Sequence, residues 1–206
     1  MHTETLAPNT KSIFEILGKN STILENFYLS GGTALALHLG HRESEDLDFF
    51  SQIEFEPEIL LQQLEELMAL SDVSLDHGTL NCYANGVKLQ FLHYPYKLIG
   101  NTENYNNIKI SSVPDIACTK LITISARGSQ KDFIDLFFIL QIYSLQELFD
   151  LLSKKYPQTD YNLLHILKSL VYFQDADEQP TPKMHKQLSW IQVKKFIANS
   201  VKSYQI

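Results

Sequence analysis

Cysteine is scarce in this chain of 206 residues, and its two copies, Cys82 and Cys118, stand far apart inside apolar patterns. With no second Cys or His at zinc-finger spacing beside either one, both read as core thiols rather than as a disulfide or part of a zinc centre. Long apolar runs are missing too. No stretch approaches the ~18 uninterrupted apolar residues that a membrane-spanning helix requires. The start, MHTETLAPNT, lacks the basic-then-apolar layout of a secretory leader, so a cytoplasmic protein with no membrane partner is expected. Positive charge is in deficit: 17 Lys and Arg against 24 Asp and Glu give a formal charge of -7, which argues against non-specific coating of nucleic acid. Acidic residues, in turn, vanish between Pro180 and Ile206, where Lys183, Lys186, Lys194, Lys195 and Lys202 remain. That segment is either the solvated face of a last helix or a landing strip for a polyanion. Internal repeats and low-complexity tracts are absent as well.

With 44% apolar residues the chain can bury a real core. Apolar spacing in TKSIFEILGK predicts a first helix ending at Gly18. NFYLSGG reads as a strand entering a tight turn, TALALHL as a brief helix closed by Gly40, and DLDFFS as a second strand. An amphipathic helix is expected from Pro57 to Leu70. Alternation from Val73 to Leu92, joined through Asn85-Gly86, predicts antiparallel strands. NTENYNN is then a polar loop and IKI a short strand. From Ser112 onward the pattern is helical, and three capping-box signatures begin at Ser112, Ser129 and Ser144. The fold class is therefore α/β (α+β), with an α/β core over residues 1–111 and a C-terminal helical region over 112–206 packed on it.

Two features of GGTALALHLGHRESEDLDFF, residues 31–50, point to chemistry. On a strand, Asp46 and Asp48 face the same way, with Cα atoms about 7 Å apart at roughly 3.3 Å rise per residue. Two carboxylates so placed repel unless a counter-ion lies between them. They suit Mg²⁺ or Mn²⁺, hard cations that take oxygen ligands and leave room for substrate phosphates. Gly31 and Gly32, at a strand-to-helix turn, permit unusual backbone angles and the close approach of a ligand, and the helix that starts there offers free N–H groups to an anion. The Thr33 hydroxyl can donate to a phosphate oxygen or cap the helix. A phosphate cradle facing a metal-binding carboxylate pair is what phosphoryl-type transfer requires.

LSGGTALALHLGHRESEDLDFF resembles the AbiEii/AbiGii family of nucleotidyltransferase-like toxins, a branch of the DNA polymerase β-type nucleotidyltransferase superfamily. Gly31, Gly32, Asp46 and Asp48 match the superfamily's glycine turn, short helix and Asp-x-Asp. His41, Arg42, Ser44, Asp46, Leu47, Asp48 and Phe49 meet the family's frequent HR.S.DLDF. A second block, KLITISARGSQKDFIDL, resembles the family's later motif through Lys120, Arg127, Lys131, Asp132 and Asp135. The likeness covers roughly residues 28–140. It implies a nucleotidyltransferase-type mixed β-sheet flanked by helices, and a Mg²⁺- or Mn²⁺-dependent enzyme that moves a nucleoside monophosphate from an NTP to an acceptor. It further implies an RNA acceptor such as tRNA, since related toxins modify the 3′ end of tRNA, and a toxin role alongside a cognate antitoxin or in phage defence. Asp46, Asp48, Lys120 and Asp135 are then the expected catalytic residues, with the metal on Asp46 and Asp48. Gly31, Gly32, Thr33, Arg42, Lys120, Arg127 and Lys131 are the expected nucleotide-binding residues.

Taken on their own terms, these residues keep some alternatives open. Asp135 lies among apolar neighbours and needs a partner; Lys131, one turn earlier, can supply it, and so can Lys120 or Arg127 from the preceding helix. Such a pair either serves the reaction or locks two helices together. Lys120 and Arg127 are two turns apart on one face and can neutralise triphosphate charge if that face meets the cleft. Arg42 either contacts phosphate or braces its loop. Asp115 and Asp132 read as helix N-terminal residues, and His38 and His41 lack a carboxylate at zinc-site spacing. The later strand where many polymerase β-type enzymes carry a third carboxylate shows Lys88 and Gln90 on one face, and Gln90 cannot act as a base. This departure keeps two other functions in view: a catalytically degenerate nucleotide- or partner-binding module, and a small-molecule adenylyltransferase.

Overall fold

The computed structural model describes residues 1–159 and 161–204; Asp160, Gln205 and Ile206, all within the expected helical region, lie outside the described residues. The helices are α1 (Pro8–Lys19), α2 (Gly31–Leu39), α3 (Pro57–Glu65), α4 (Val113–Arg127), α5 (Gln130–Ile139), α6 (Leu145–Lys155), α7 (Leu163–Ser169), α8 (Gln174–Asp177) and α9 (Trp190–Ser203). The strands are β1 (Phe27–Ser30), β2 (Leu47–Ser51), β3 (Leu70–Asp76), β4 (Thr79–Ala84), β5 (Val87–His93), β6 (Glu103–Tyr105) and β7 (Ile108–Ile110). The strands form one mixed sheet in the order β3-β4-β5-β2-β1-β7-β6. β1 runs antiparallel to β2, while β2 pairs in parallel with β5 and β1 in parallel with β7. The expected boundary at residue 111 falls between β7 and α4.

The two faces of the central strands differ sharply. Leu47, Phe49, Leu89 and Phe91 have no exposed surface, and the Phe49 and Phe91 rings stack with centroids 5.1 Å apart. The alternate residues Asp48, Phe50, Gln90 and Leu92 are only half-buried. This follows from the two-residue period of a strand. One face closes the core and the other is left for a cleft. Burial pushes the thiols of Cys82 and Cys118 up to about 11 and about 12, so both stay protonated and unreactive in the core.

Local chemistry explains where elements start and stop. Asn85 and Gly86 both have positive φ (50° and 76°) and turn β4 into β5, as the pair predicts for a two-residue hairpin. The polar segment after residue 100 departs from its reading as a loop. Asn106 and Asn107, with φ 50° and 60°, make a second such turn and allow Glu103–Tyr105 to pair with Ile108–Ile110. Helix α3 stops at Glu65 rather than near Leu70, because β3 begins at Leu70 and pairs with Ala84. Capping boxes form at Ser129 and Ser144, and Ser112 accepts from the Asp115 N–H. A further box at Ser189, closed by Gln192, starts α9.

Asp115 also locks the α4 end of the molecule. Its carboxylate accepts from Lys155 Nζ at 2.6 Å and from the N–H groups of Ile99 and Gly100 at 2.9 and 3.0 Å. Burial opposes ionisation, but these bonds outweigh it and hold the carboxyl below the usual range. α6 and the loop after β5 are thereby tied to α4.

Gly18 does not end α1, which continues to Lys19. The helix passes the β6–β7 turn so closely that a Cβ on Gly18 would lie 2.3 Å from the Asn106 carbonyl oxygen. Helix propensity alone predicts that Gly18→Ala stabilises α1 by about 1 kcal/mol. The contact predicts the opposite, a loss of about 1–3 kcal/mol from overpacking against backbone. Urea unfolding of the two proteins decides between them, and a gain for Gly18→Ala would show that the turn gives way.

Candidate active site

β1 ends at Ser30, directly opposite Asp48 on β2, and the chain turns at once into α2. The turn depends on Gly31, whose φ of +66° is unfavourable for any residue with a side chain. A Cβ there would also sit 2.4 Å from Asp48 Oδ2, and one on Gly32 would sit 2.5 Å from the Arg42 guanidinium. The bare backbone therefore lets the start of α2, the Asp48 carboxylate and an arginine share one corner.

This corner opens into a cavity of about 650 Å³, within the range of small-molecule sites. Gly31, Gly32, Thr33, Arg42, Asp46, Asp48, Lys120, Arg127 and Lys131 all line it. Asp48 lies on β2 and Asp46 just before it, both half-buried, while Leu47 between them is sealed in the core. Burial, and then the charge on Asp46, push the Asp48 carboxyl upward. Two crowded oxygen-donor groups in that state fit a divalent cation, which would relieve both effects. Among the described residues no cluster of three or more His, Cys, Asp or Glu side chains forms a metal site; Asp132 and Asp175 also line the cavity, but Asp132 is held by Lys120 at 2.7 Å. Gln90 stands directly opposite Asp48 on β5 and lines the cavity with Lys88.

Asp135 is placed elsewhere. It is fully buried and is not among the cavity-lining residues. Arg42 grips it with two bonds, Nε to Oδ1 at 2.7 Å and Nη2 to Oδ2 at 2.9 Å. Lys120 Nζ lies 2.6 Å from Oδ2, and His41 Nε2 donates to Oδ1 at 2.9 Å. Burial disfavours the charge, yet Arg42 and Lys120 overcome it and hold the Asp135 carboxyl well below the ordinary range. Burial lowers the His41 imidazole. A carboxylate can only accept, so the neutral ring carries its proton on Nε2, and Nδ1 has no hydrogen-bond partner among the described residues.

The remaining side chains sort by partner. Lys120 also donates to Asp132 Oδ1 at 2.7 Å, and Asp132 completes the capping box of α5. Lys131 reaches Asp46 Oδ2 at 3.3 Å rather than Asp135, one turn along its own helix. Arg42 braces its loop through Asp135 while its guanidinium borders the cavity. Thr33 hydrogen-bonds the Asp46 carbonyl and lies 2.8 Å from Ser44 Oγ, so its hydroxyl holds the segment leading to the carboxylates. His38 Nε2 donates to the Ser111 carbonyl at 2.8 Å. Of the C-terminal lysines, Lys183 pairs with Glu43 at 2.6 Å and Lys194 with Asp177 at 2.8 Å, and Lys186 lies over the Phe138 ring. The backbone of this segment straps the loop before β2: Glu43 N–H donates to the Lys183 carbonyl, and His185 N–H to the His41 carbonyl.

Other cavity walls escaped sequence reasoning. Phe50, Leu92, Tyr94 and Ile122 also line the cavity, as do Asp175 and Gln179 near α8. The two-residue alternation of β5 carried part of the signal, since Lys88, Gln90 and Leu92 share a face. The parallel pairing that sets this face beside Asp48 is not written in either strand.

Residues 15–77 match the family model described as nucleotidyl transferase AbiEii toxin, type IV toxin–antitoxin system. The uncharacterized protein aq_aa25 of Aquifex aeolicus is 39% identical over 188 residues, covering 88% of this chain and 89% of that protein. Among solved structures, MenT4, a nucleotidyltransferase toxin of Mycobacterium tuberculosis, superposes with a TM-score of 0.60 at 14% identity, over 94% of this chain and 82% of its own. JHP933 of Helicobacter pylori gives 0.59 at 18% identity, over 96% and 92%. At these identities the structural matches speak for a shared fold.

Asp135→Asn removes the charge that Arg42 and Lys120 share in a dry environment. A loss of about 3–5 kcal/mol is expected at pH 7, the cost of stranding buried charge, read by urea unfolding. Because the native carboxyl ionises well below its ordinary 3.8, its contribution is complete above that value and is lost as pH falls further. The stability gap between wild type and variant should stay flat at neutral pH and narrow below about pH 4. A gap that does not change with acidification would mean that Asp135 is not ionised in the native state.

Proposed function

Because the chain belongs to the AbiEii family of nucleotidyltransferases, we propose that its cleft transfers a nucleoside monophosphate from an NTP to an RNA acceptor such as tRNA, as the toxin of a toxin–antitoxin or phage-defence pair. An acceptor hydroxyl oxygen forms the new bond to the α-phosphorus, the α–β phosphoanhydride bond breaks, and pyrophosphate leaves. The single observation that carries this reading is the contact between the glycine bend and Asp48: a side chain on Gly31 would overlap the Asp48 carboxylate. An anion held at the start of α2 would therefore lie beside a cation held by Asp46 and Asp48.

Each part of the cleft has a task in this reaction. Asp46 and Asp48 would hold Mg²⁺ or Mn²⁺, which would supply charge neutralisation to the reacting phosphate. The N–H groups at the start of α2 receive phosphate oxygens. Lys120, Arg127 and Lys131 border the same space and offset the charge of the triphosphate and of the leaving pyrophosphate. Lys131, exposed and 3.3 Å from Asp46, is free to swing from the carboxylate to a phosphate. Lys120 is fixed by Asp132 and Asp135, so it presents a positioned charge. Asp135 acts through Arg42 and Lys120 as a positioning residue rather than as a base. The proton of the acceptor hydroxyl passes to solvent, since Gln90, opposite Asp48, cannot take it.

Gln90 also favours a second reading, in which the cleft binds an NTP or a partner protein without turnover. Incubation with labelled NTPs, Mg²⁺ and total RNA separates the two. The wild type should label an RNA band and Asp48→Ala should reduce labelling by about 10²–10³-fold, the scale of losing one electrostatic group. Equal labelling by both proteins would remove the carboxylates from the mechanism. NTP binding without product in any acceptor mixture would leave the binding module.

A further inference from the structure

The cleft changes character along the strands. Asp48 on β2 faces Gln90 on β5, and two residues further Phe50 faces Leu92. On the other side of β2, Ser30 is opposite Asp48 and Tyr28 is opposite Phe50. A polar row is thus followed by an apolar row about 7 Å away, two residues on a strand. Tyr94 extends the apolar row, its ring centroid 4.9 Å from that of Phe50, and Ile122 of α4 borders the same cavity. The cationic groups gather at the polar end, with Arg42 against Gly32 and Lys131 against Asp46.

We propose that this apolar end is a stacking seat for the base of the incoming nucleoside triphosphate. The proposal rests on the nucleotidyltransferase reading of the cleft and extends it from the phosphates to the base. Three observations carry it. The seat is half-open where its strand neighbours are sealed: Phe50 and Leu92 keep exposed surface, whereas Phe49 and Phe91 keep none. It is held rigid from behind, because Tyr94 hydrogen-bonds Tyr156 through their hydroxyls, and Tyr96 packs on both rings at 4.9 and 4.7 Å. It is continuous with the carboxylates, so an α-phosphate beside Asp48 brings its nucleoside within one strand step of Phe50. An aromatic platform suits any base through its π-face. Gln90, in the polar row one alternation before Leu92, offers both a donor and an acceptor to the base edge, which gives the seat a means of preferring one base.

Calorimetry in Mg²⁺ with ATP, CTP, GTP, UTP and inorganic tripolyphosphate tests the seat, using the full chain. The wild type should hold at least one NTP about tenfold or more tighter than tripolyphosphate, the scale of one base-stacking contact. Phe50→Ala, and independently Ile122→Trp, which fills the seat, should erase that preference and leave tripolyphosphate affinity unchanged. Unchanged tripolyphosphate binding also shows that the variants are folded. Equal affinity of the wild type for NTP and tripolyphosphate, or variants that keep the preference, overturns the proposal. A short single-stranded RNA whose binding falls in Phe50→Ala while NTP binding does not would also overturn it, by giving the seat to the acceptor. Loss of the phosphate reading looks different: tripolyphosphate fails to bind at all while NTP binding still depends on Phe50, which leaves the seat standing and removes the cradle.

Discussion

The cleft depends on one buried carboxylate. Asp135 sits on α5 with no exposed surface, and its two oxygens receive Arg42 and His41 from the loop before β2 and Lys120 from α4. The loop before β2 is thereby pinned to two consecutive helices some eighty to ninety residues further along the chain. Burying these charges is costly, and an ion network of this kind is weak evidence for stability as such. Its consequence here is geometric. Arg42 can lie against Gly32 and Lys120 can border the cavity because both side chains are held from behind, so the charges around a bound anion are arranged before it arrives.

A second constraint acts at the turn into α2. The Asp48 carboxylate occupies space that any side chain at residue 31 would need, so the glycine and the carboxylate are one feature seen from two strands. The antiparallel pairing of β1 with β2, with Ser30 opposite Asp48, fixes that proximity. The loop between α2 and β2 is then held from several sides. Thr33 bonds the Asp46 carbonyl, Thr10 bonds the Glu45 carbonyl, and the 183–186 segment straps residues 41–43. Carboxylates approached by a doubly charged cation and a triphosphate need such support, because small displacements in a charge-dense site carry large energies.

The same sheet face serves two chemistries because a strand exposes alternate residues. Asp46, Asp48 and Phe50 follow one another at spacing two, as do Lys88, Gln90 and Leu92, and the parallel pairing of β2 with β5 sets the two series side by side. The other face of these strands is closed by Phe49, Phe91, Leu47 and Leu89. Charge at one end and aromatic surface at the other therefore emerge from a single alternation, with no insertion or extra element required.

Much of this was legible in the chain itself. The glycine turn, the short helix, the Asp-x-Asp alternation, the Asn85-Gly86 hairpin and the capping boxes are local, each fixed by backbone conformation or side-chain period over a few residues, so sequence determines them. Local signals erred where a distant partner decided the outcome: Gly18 serves the close approach of the Asn106 turn rather than a helix stop, and α3 yields to β3 because Ala84 offers a pairing edge. For the charged side chains, sequence offered several partners without choosing among them. Lys131 is spaced to meet Asp135 on its own helix yet turns to Asp46, since Asp135 faces inward to partners some ninety residues upstream. Which carboxylate meets solvent and which is locked in an ion network depends on how helices pack against the sheet. That packing is set by the summed burial of the whole core, a quantity no short stretch contains.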